Sequence, residues 1–235
     1  GLVYLGVPES IWAVEAQKCV SAMPFPLPET DGRLCLAALD KMQDKLKGCD
    51  VLALGPGLGR GKETEQLVHA LLWQVKEPLV LDADGINALA GHIDTLSCRR
   101  GCVTVLTPHD GELARIGGDM TAPREAAAAA FAVDHGVYLI RKGHRTVAAA
   151  PDGRLAVNTT GNDGMAKGGS GDSGGAGIAA GAAILARDRG VPLAKQILIY
   201  PMLDDRTVAC DDELDGLAHV WFAENNKICL LYTSP

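Results

Sequence analysis

Aromatic residues are scarce, at 4% of the chain. So few large flat side chains argue against a β-sandwich core, and the many glycines and alanines favour a closely packed α/β protein. There is no run of lysine and arginine, and the net charge is −7, which excludes nonspecific nucleic-acid binding because successive phosphates would go unneutralised. No apolar run reaches the ~18 residues of a membrane span, and no signal peptide is visible, so no membrane partner is expected. Cysteines are few and odd in number: Cys19, Cys35, Cys49, Cys98, Cys102, Cys210 and Cys229. Cys98 and Cys102 have no second pair at zinc-knuckle spacing, so no metal site is read from them and reduced thiols in a cytoplasmic setting are expected. The 47% of hydrophobic residues is ample for the core of one large domain. The chain opens at Gly1 directly inside the apolar run Leu2–Val7, and this predicts a truncated N-terminus.

Along the chain, short apolar runs alternate with helical patterns. Residues 2–7 read as a buried strand followed by a helix that Pro8-Glu9-Ser10 starts. Pro24, Pro26 and Pro28 read as an extended connector, and 34–47 as an amphipathic helix. Strands are predicted at 50–54, 79–84, 103–109 and 137–141, with helices at 62–76, from about Gly111, and at 122–134. Residues 146–149 and 155–158 form a predicted hairpin around Asp152-Gly153. This alternation implies a parallel sheet, in which ligands sit outside the carboxyl ends of the strands.

Polar clusters fall at those ends. Gly55-Pro56-Gly57-Leu58-Gly59 exposes bare backbone before a helix N-terminus, although such a loop can equally be a tight strand-to-helix turn. In Asp82-Ala83-Asp84-Gly85-Ile86-Asn87, the carboxylates and amide suit a cofactor, and Asp84 equally suits an N-cap. His109, beside Glu112 and behind Pro108, is a candidate substrate contact. Lys142-Gly143-His144-Arg145-Thr146 offers cations and a hydroxyl to a nucleotide.

The segment Gly164–Gly175 satisfies two active-site patterns at once. Up to Asp172 it is a glycine-rich anion loop whose last residue supplies a base. From Gly171, Gly-Asp-Ser-Gly-Gly fits the turn that exposes a nucleophilic serine in α/β-hydrolases.

The Gly55–Gly59 loop, Leu81–Asn87, Leu106–Glu112, Lys142–Thr146 and Asn158–Asp172 together resemble the ADP/ATP-dependent NAD(P)H-hydrate dehydratases of the ribokinase-like superfamily. That family repairs hydrated NADH and NADPH by eliminating water, and it consumes ATP or ADP. The resemblance implies a ribokinase-like three-layer α/β/α sandwich. It also implies that Gly57 or Gly59 and His109 touch the NAD(P)H hydrate. Lys142, Gly143, His144, Arg145 and Thr146, with Gly168, Gly169, Ser170 and Gly171, would hold ADP or ATP, which brings Mg2+. Asp172 would be the catalytic acid/base residue and a substrate contact. The chain departs from the family in starting after its glycine-rich N-terminal segment, and in carrying bulky His144 and Arg145 where small residues are usual.

Residues 171–228 instead resemble the hormone-sensitive-lipase-like esterases, through Ser173-Gly174-Gly175, Gln196–Pro201 and Trp221–Ile228. Ser173 has no upstream His-Gly-Gly for an oxyanion hole, and the only later histidine is His219. Cys229–Pro235 resembles translated sequencing adaptor. The expected organisation is therefore an N-truncated dehydratase domain (1–172), a hydrolase-like fragment (173–228) and an adaptor-derived tail (229–235), the strand at 196–200 having no slot of its own. A small-molecule kinase of the same superfamily, an inert chimera and a homo-oligomer remain open at this point.

Overall fold

The computed structural model describes residues 2–19 and 22–159, and the backbone of 195–199. The chain begins with β1 (Leu2–Pro8), α1 (Glu9–Lys18) and β2 (Ala22–Leu27), followed by the two-residue strands β3 (Glu29–Thr30) and β4 (Arg33–Leu34). Next come α2 (Ala38–Leu46), β5 (Val51–Leu54), α3 (Lys62–Gln74), β6 (Leu79–Leu81), α4 (Ala83–Asn87) and a 3-10 helix over Ile93–Arg99. The elements β7 (Thr104–Leu106), α5 (Asp110–Arg115), α6 (Arg124–His135) and β8 (Tyr138–Arg141) lead to the strands β9 (Val147–Ala149) and β10 (Leu155–Val157), and β11 (Lys195–Ile199) follows.

Among the described residues, nine strands form one sheet in the order β10-β9-β8-β7-β6-β5-β11-β1-β2. The strands from β8 to β2 in that order are parallel, and β9 and β10 add an antiparallel margin. Alternate residues of the central strands face opposite sides. Leu52, Leu54, Leu79, Leu81, Leu106 and Leu139 join the main core, while Val51, Ala53 and Val80 form a second cluster with half-buried Val3 and Val105. Helix α3 covers the main core with Thr64, Leu67, Val68, Leu71 and Leu72, the spacing of one helical face. Each leucine so withdrawn from water contributes about 1.5–3 kcal/mol. Behind the sheet's N-terminal ends, buried Arg99 donates to the Thr104 hydroxyl (2.8 Å) and to the carbonyls of Val75, Glu77 and Val103. These bonds replace water around its charge and tie α3 to β7.

Two elements differ from what the sequence pattern predicts. Residues 22–27 are not a connector but the outermost strand, with Pro24 opposite Leu5 and Pro26 opposite Val7. Proline donates no ladder hydrogen bond and is tolerated at a sheet edge, where it also discourages further pairing. The second is the strand expected to lack a slot. The backbone of β11 lies between β1 and β5, pairing Leu2 to Gly6 with Lys195 to Ile199 and Val51 to Ala53 with Gln196 to Leu198. It satisfies the inward-facing backbone groups of both neighbours, which would otherwise be two open edges.

Candidate functional site

The carboxyl ends of β5, β6, β7 and β8 lie side by side, so the polar clusters that follow these strands share one edge. Gly55 follows β5 with φ +140°, and a Cβ there would stand 1.7 Å from the carbonyl oxygen of Asp82. Gly85 meets the same junction from the other side, where a Cβ would lie 2.7 Å from the Leu54 carbonyl oxygen. The first glycine of the loop thus serves the contact between two strand ends rather than a ligand. Gly57 is exposed at φ +70°, and Gly59 is half-buried at φ +76°.

Asp84 does not serve as the N-cap. It lies within α4, not at its N-cap, which is Asp82. Its Oδ2 accepts the Gly59 N–H (3.0 Å), and its Oδ1 accepts from Arg60 Nε (3.3 Å) and Asn87 Nδ2 (3.0 Å). Asn87 Oδ1 in turn accepts from Arg115 (3.0 Å), so one polar chain links the glycine loop to α5. With its N–H engaged by Asp84, Gly59 is a positioned backbone element, while Gly57 is the open one.

His109 is the N-cap of α5. Its Nδ1 accepts from the backbone N–H of Gly111 (2.9 Å) and Glu112 (3.2 Å), and Glu112 Oε2 accepts the His109 backbone N–H (2.8 Å). This capping box requires the ring proton on Nε2, which lies 3.4 Å from Glu112 Oε1. The ring remains 47% exposed, free to meet a ligand along its outer edge.

Behind the histidine lies a buried charge cluster that the sequence reading did not anticipate. Lys142 Nζ donates to Asp82 Oδ1 at 2.6 Å and stands 4.0 Å from Glu112 Oε2. The side chains of Asp82, Glu112 and Lys142 are 4%, 3% and 11% exposed. Burial raises the Asp82 carboxyl above its ordinary range despite the neighbouring ammonium. Burial raises Glu112 too, outweighing the His109 N–H and the Lys142 charge. Two carboxylates thus surround one ammonium, and Asp82 Oδ2 has no hydrogen-bond partner among the described residues.

A second cluster stands beside it. Asp110 accepts from Arg124 Nη1 through both oxygens (2.9 and 2.7 Å) and from Arg141 Nε (2.7 Å). Arg124 Nη2 continues to the carbonyls of Arg141 (3.4 Å) and Lys142 (3.2 Å). Burial opposes ionisation of Asp110, but the Arg141 hydrogen bond and the two guanidinium charges outweigh it and hold the carboxyl below its usual range. The turn at 142–146 projects from this support. Gly143, His144 and Arg145 are exposed, Arg145 has φ +55°, and Thr146 Oγ1 donates to the Gly143 carbonyl (3.0 Å). The bulky side chains therefore stand at the surface, where exposed cations and bare glycine backbone suit an anionic nucleotide.

Gly168, Gly169, Ser170, Gly171, Asp172 and Ser173 lie outside the described residues. Among the described residues no three His, Cys, Asp or Glu side chains converge as metal ligands, and Cys35, Cys98 and Cys102 are free thiols. No helix among them is long and apolar enough to cross a membrane.

Residues 1–195 match the carbohydrate-kinase-type family described as NAD(P)H-hydrate dehydratase. The chain belongs to the NAD(P)H-hydrate dehydratase family. It is 45% identical over 177 residues to the bifunctional NAD(P)H-hydrate repair enzyme of Moorella thermoacetica, covering 73% of this chain and 33% of that protein. The chain spans about a third of the length of the first curated relatives it matches. Among solved structures it resembles the Bacillus subtilis ADP/ATP-dependent NAD(P)H-hydrate dehydratase co-crystallised with ATP/Mg2+ and soaked with CoA (27% identity, TM-score 0.55, covering 77% of this chain and 63% of the other). A ribokinase-like superfamily protein from Enterococcus faecalis matches all of this chain and 78% of its own at 19% identity and TM-score 0.61. The fold of this dehydratase-family chain is accordingly ribokinase-like α/β. The family match runs past residue 172, where the sequence reading ended the dehydratase domain, to residue 195.

Proposed function

We propose that this chain carries out the ADP- or ATP-dependent dehydration of NAD(P)H hydrate, as a cytoplasmic enzyme of nicotinamide nucleotide repair. The observation that carries the reading is the convergence, in a chain of this family, of Gly57, His109 and the 142–146 turn on one sheet edge. On this reading Gly57 offers backbone to the hydrated nicotinamide nucleotide, with Gly59 held beside it by Asp84, and His109 meets it with the outer edge of its capped ring. Gly143, His144, Arg145 and Thr146 receive the adenine nucleotide, and Mg2+ enters with its phosphates. Lys142 acts from behind, because Asp82 and Glu112 direct its ammonium inward.

When bound, the nucleotide supplies a phosphoryl group that makes the hydrate's hydroxyl a better leaving group. The chain's own part follows from its residue types. Asp172 accepts the hydroxyl proton, and the amides of Gly168, Gly169, Ser170 and Gly171 stabilise phosphate charge. Incubation with hydrated NADH, ATP and Mg2+ should return NADH absorbance, and Asp172→Asn should slow it by about 100- to 10,000-fold. Phosphorylation of a sugar or hydroxymethylpyrimidine, with no NADH returned, would assign the chain to the kinases instead.

The sequence likeness also leads us to propose that residues 173–228 are a hydrolase-like fragment without esterase activity, and 229–235 an adaptor-derived tail. The support is the likeness at Ser173–Gly175, Gln196–Pro201 and Trp221–Ile228. Long-read sequencing across the codons for 165–180 tests this, and an unbroken native locus there would refute the join.

A further inference from the structure

We infer that Arg124, which no motif in the sequence singles out, is a positioning residue for the nucleotide turn, with Asp110 as its anchor. The inference rests on the nucleotide role proposed above for residues 142–146. Arg124 is the first residue of α6, directly after the Pro123 N-cap. A cation is unfavourable there, because the helix dipole presents its positive end, so the arginine does not serve its own helix. Its guanidinium instead spans a gap between three elements. Nη1 is held by both carboxylate oxygens of Asp110 at the start of α5, at 2.9 and 2.7 Å. Nη2 donates to the carbonyls of Arg141 and Lys142, the last residue of β8 and the first of the turn.

Gly143 follows at φ +140°, and a Cβ on it would lie 3.1 Å from Arg124 Nη2. The guanidinium therefore packs on the inner side of the glycine whose bare backbone faces the proposed nucleotide. Arg141 braces the same carboxylate from within the core at 2.7 Å, its side chain 5% exposed. Asp110 in turn is the residue next to His109, the proposed substrate contact. One carboxylate and two guanidiniums thus join the hydrate side of the edge to the nucleotide side. A forked donor is needed, because one arm must reach Asp110 while the other reaches two carbonyls, and lysine offers only one point of charge.

The test uses the full chain with ATP and Mg2+, in calorimetric titration and in steady-state dehydration. Arg124→Met should weaken ATP binding and raise KM for ATP about tenfold, the scale of losing charge-assisted hydrogen bonds. At saturating ATP, kcat and KM for the hydrate should stay within about twofold of wild type, because the defect lies in nucleotide binding and saturation removes it. Arg124→Lys, which keeps the charge but not the fork, should fall between, and Asp110→Asn should move ATP binding in the same direction. Unchanged ATP affinity in a folded Arg124→Met or Arg124→Lys variant would overturn the inference alone. A fall in kcat with both KM values together would overturn it by showing a general structural role. A flat ATP titration of the wild-type chain would overturn the nucleotide assignment, and this inference with it.

Discussion

Lys142 Nζ lies 2.6 Å from Asp82 Oδ1, joining the ends of β8 and β6 across 60 residues of sequence. The ammonium also faces Glu112, which fixes the backbone of His109. A buried ion pair thus underlies the exposed groups of the edge.

Lys142→Met should destabilise the protein by about 3–5 kcal/mol, the cost of leaving a buried charge without its partner. Chemical denaturation measures it. A loss under about 1 kcal/mol would mean that the cluster behaves as an exposed pair.

His109 caps α5 and, on the proposed reading, also meets the hydrate. His109→Ala removes the α5 cap and should cost about 1 kcal/mol of stability along with hydrate affinity. Asparagine is a good N-cap, so His109→Asn should recover most of the melting temperature without restoring KM for the hydrate. Full recovery of KM in the asparagine variant would remove the ring from the substrate site.

Gly55→Ala should reduce stability by several kcal/mol, on the order of 3 from overpacking alone, with left-handed strain added. The clash is with backbone, the carbonyl of Asp82, so no side chain can rotate away. Gly57→Ala should be much milder for stability, since Gly57 is exposed, and should show its effect in substrate binding. Thermal melts of the two variants side by side distinguish a packing glycine from a ligand-facing one.

Stability should depend on pH with two opposite signs. Asp82 and Glu112 are raised in the folded state, so their contribution is present below the ordinary carboxylate range and is lost as pH rises through their raised values. Asp110 is depressed, so its contribution is present above that range and is lost as pH falls through its lowered value. Glu112→Gln should flatten the decline above about pH 4, and Asp110→Asn the decline below it. Urea unfolding at stepped pH reads both slopes, and unchanged slopes would assign the pH dependence elsewhere.

Much of the fold was legible because local pattern and tertiary environment agree. The helical spacing of Leu67, Val68, Leu71 and Leu72 marks the buried face of α3, and the apolar runs at 51–54 and 138–141 fit strands buried in a parallel sheet. Edge strand β2 was misread because proline signals a break unless the missing N–H faces outward, and that depends on where the strand lies in the sheet. The slot of β11 is likewise invisible locally, since pairing with β1 and β5 joins residues far apart in the chain.

The same division runs through the site. Residue types and spacing mark the glycine loop, His109 with Glu112, and the 142–146 turn as candidates, because bare backbone, a cap and clustered cations are properties of short segments. They could not apportion work within them. Asp84 serves Gly59, Lys142 turns inward to Asp82, and Arg124 reaches the turn from another helix. A charged side chain's role depends on which oppositely charged or polar atoms burial brings within about 3 Å of it. Those neighbours come from separate strand ends and helices, and only the folded sheet sets them side by side.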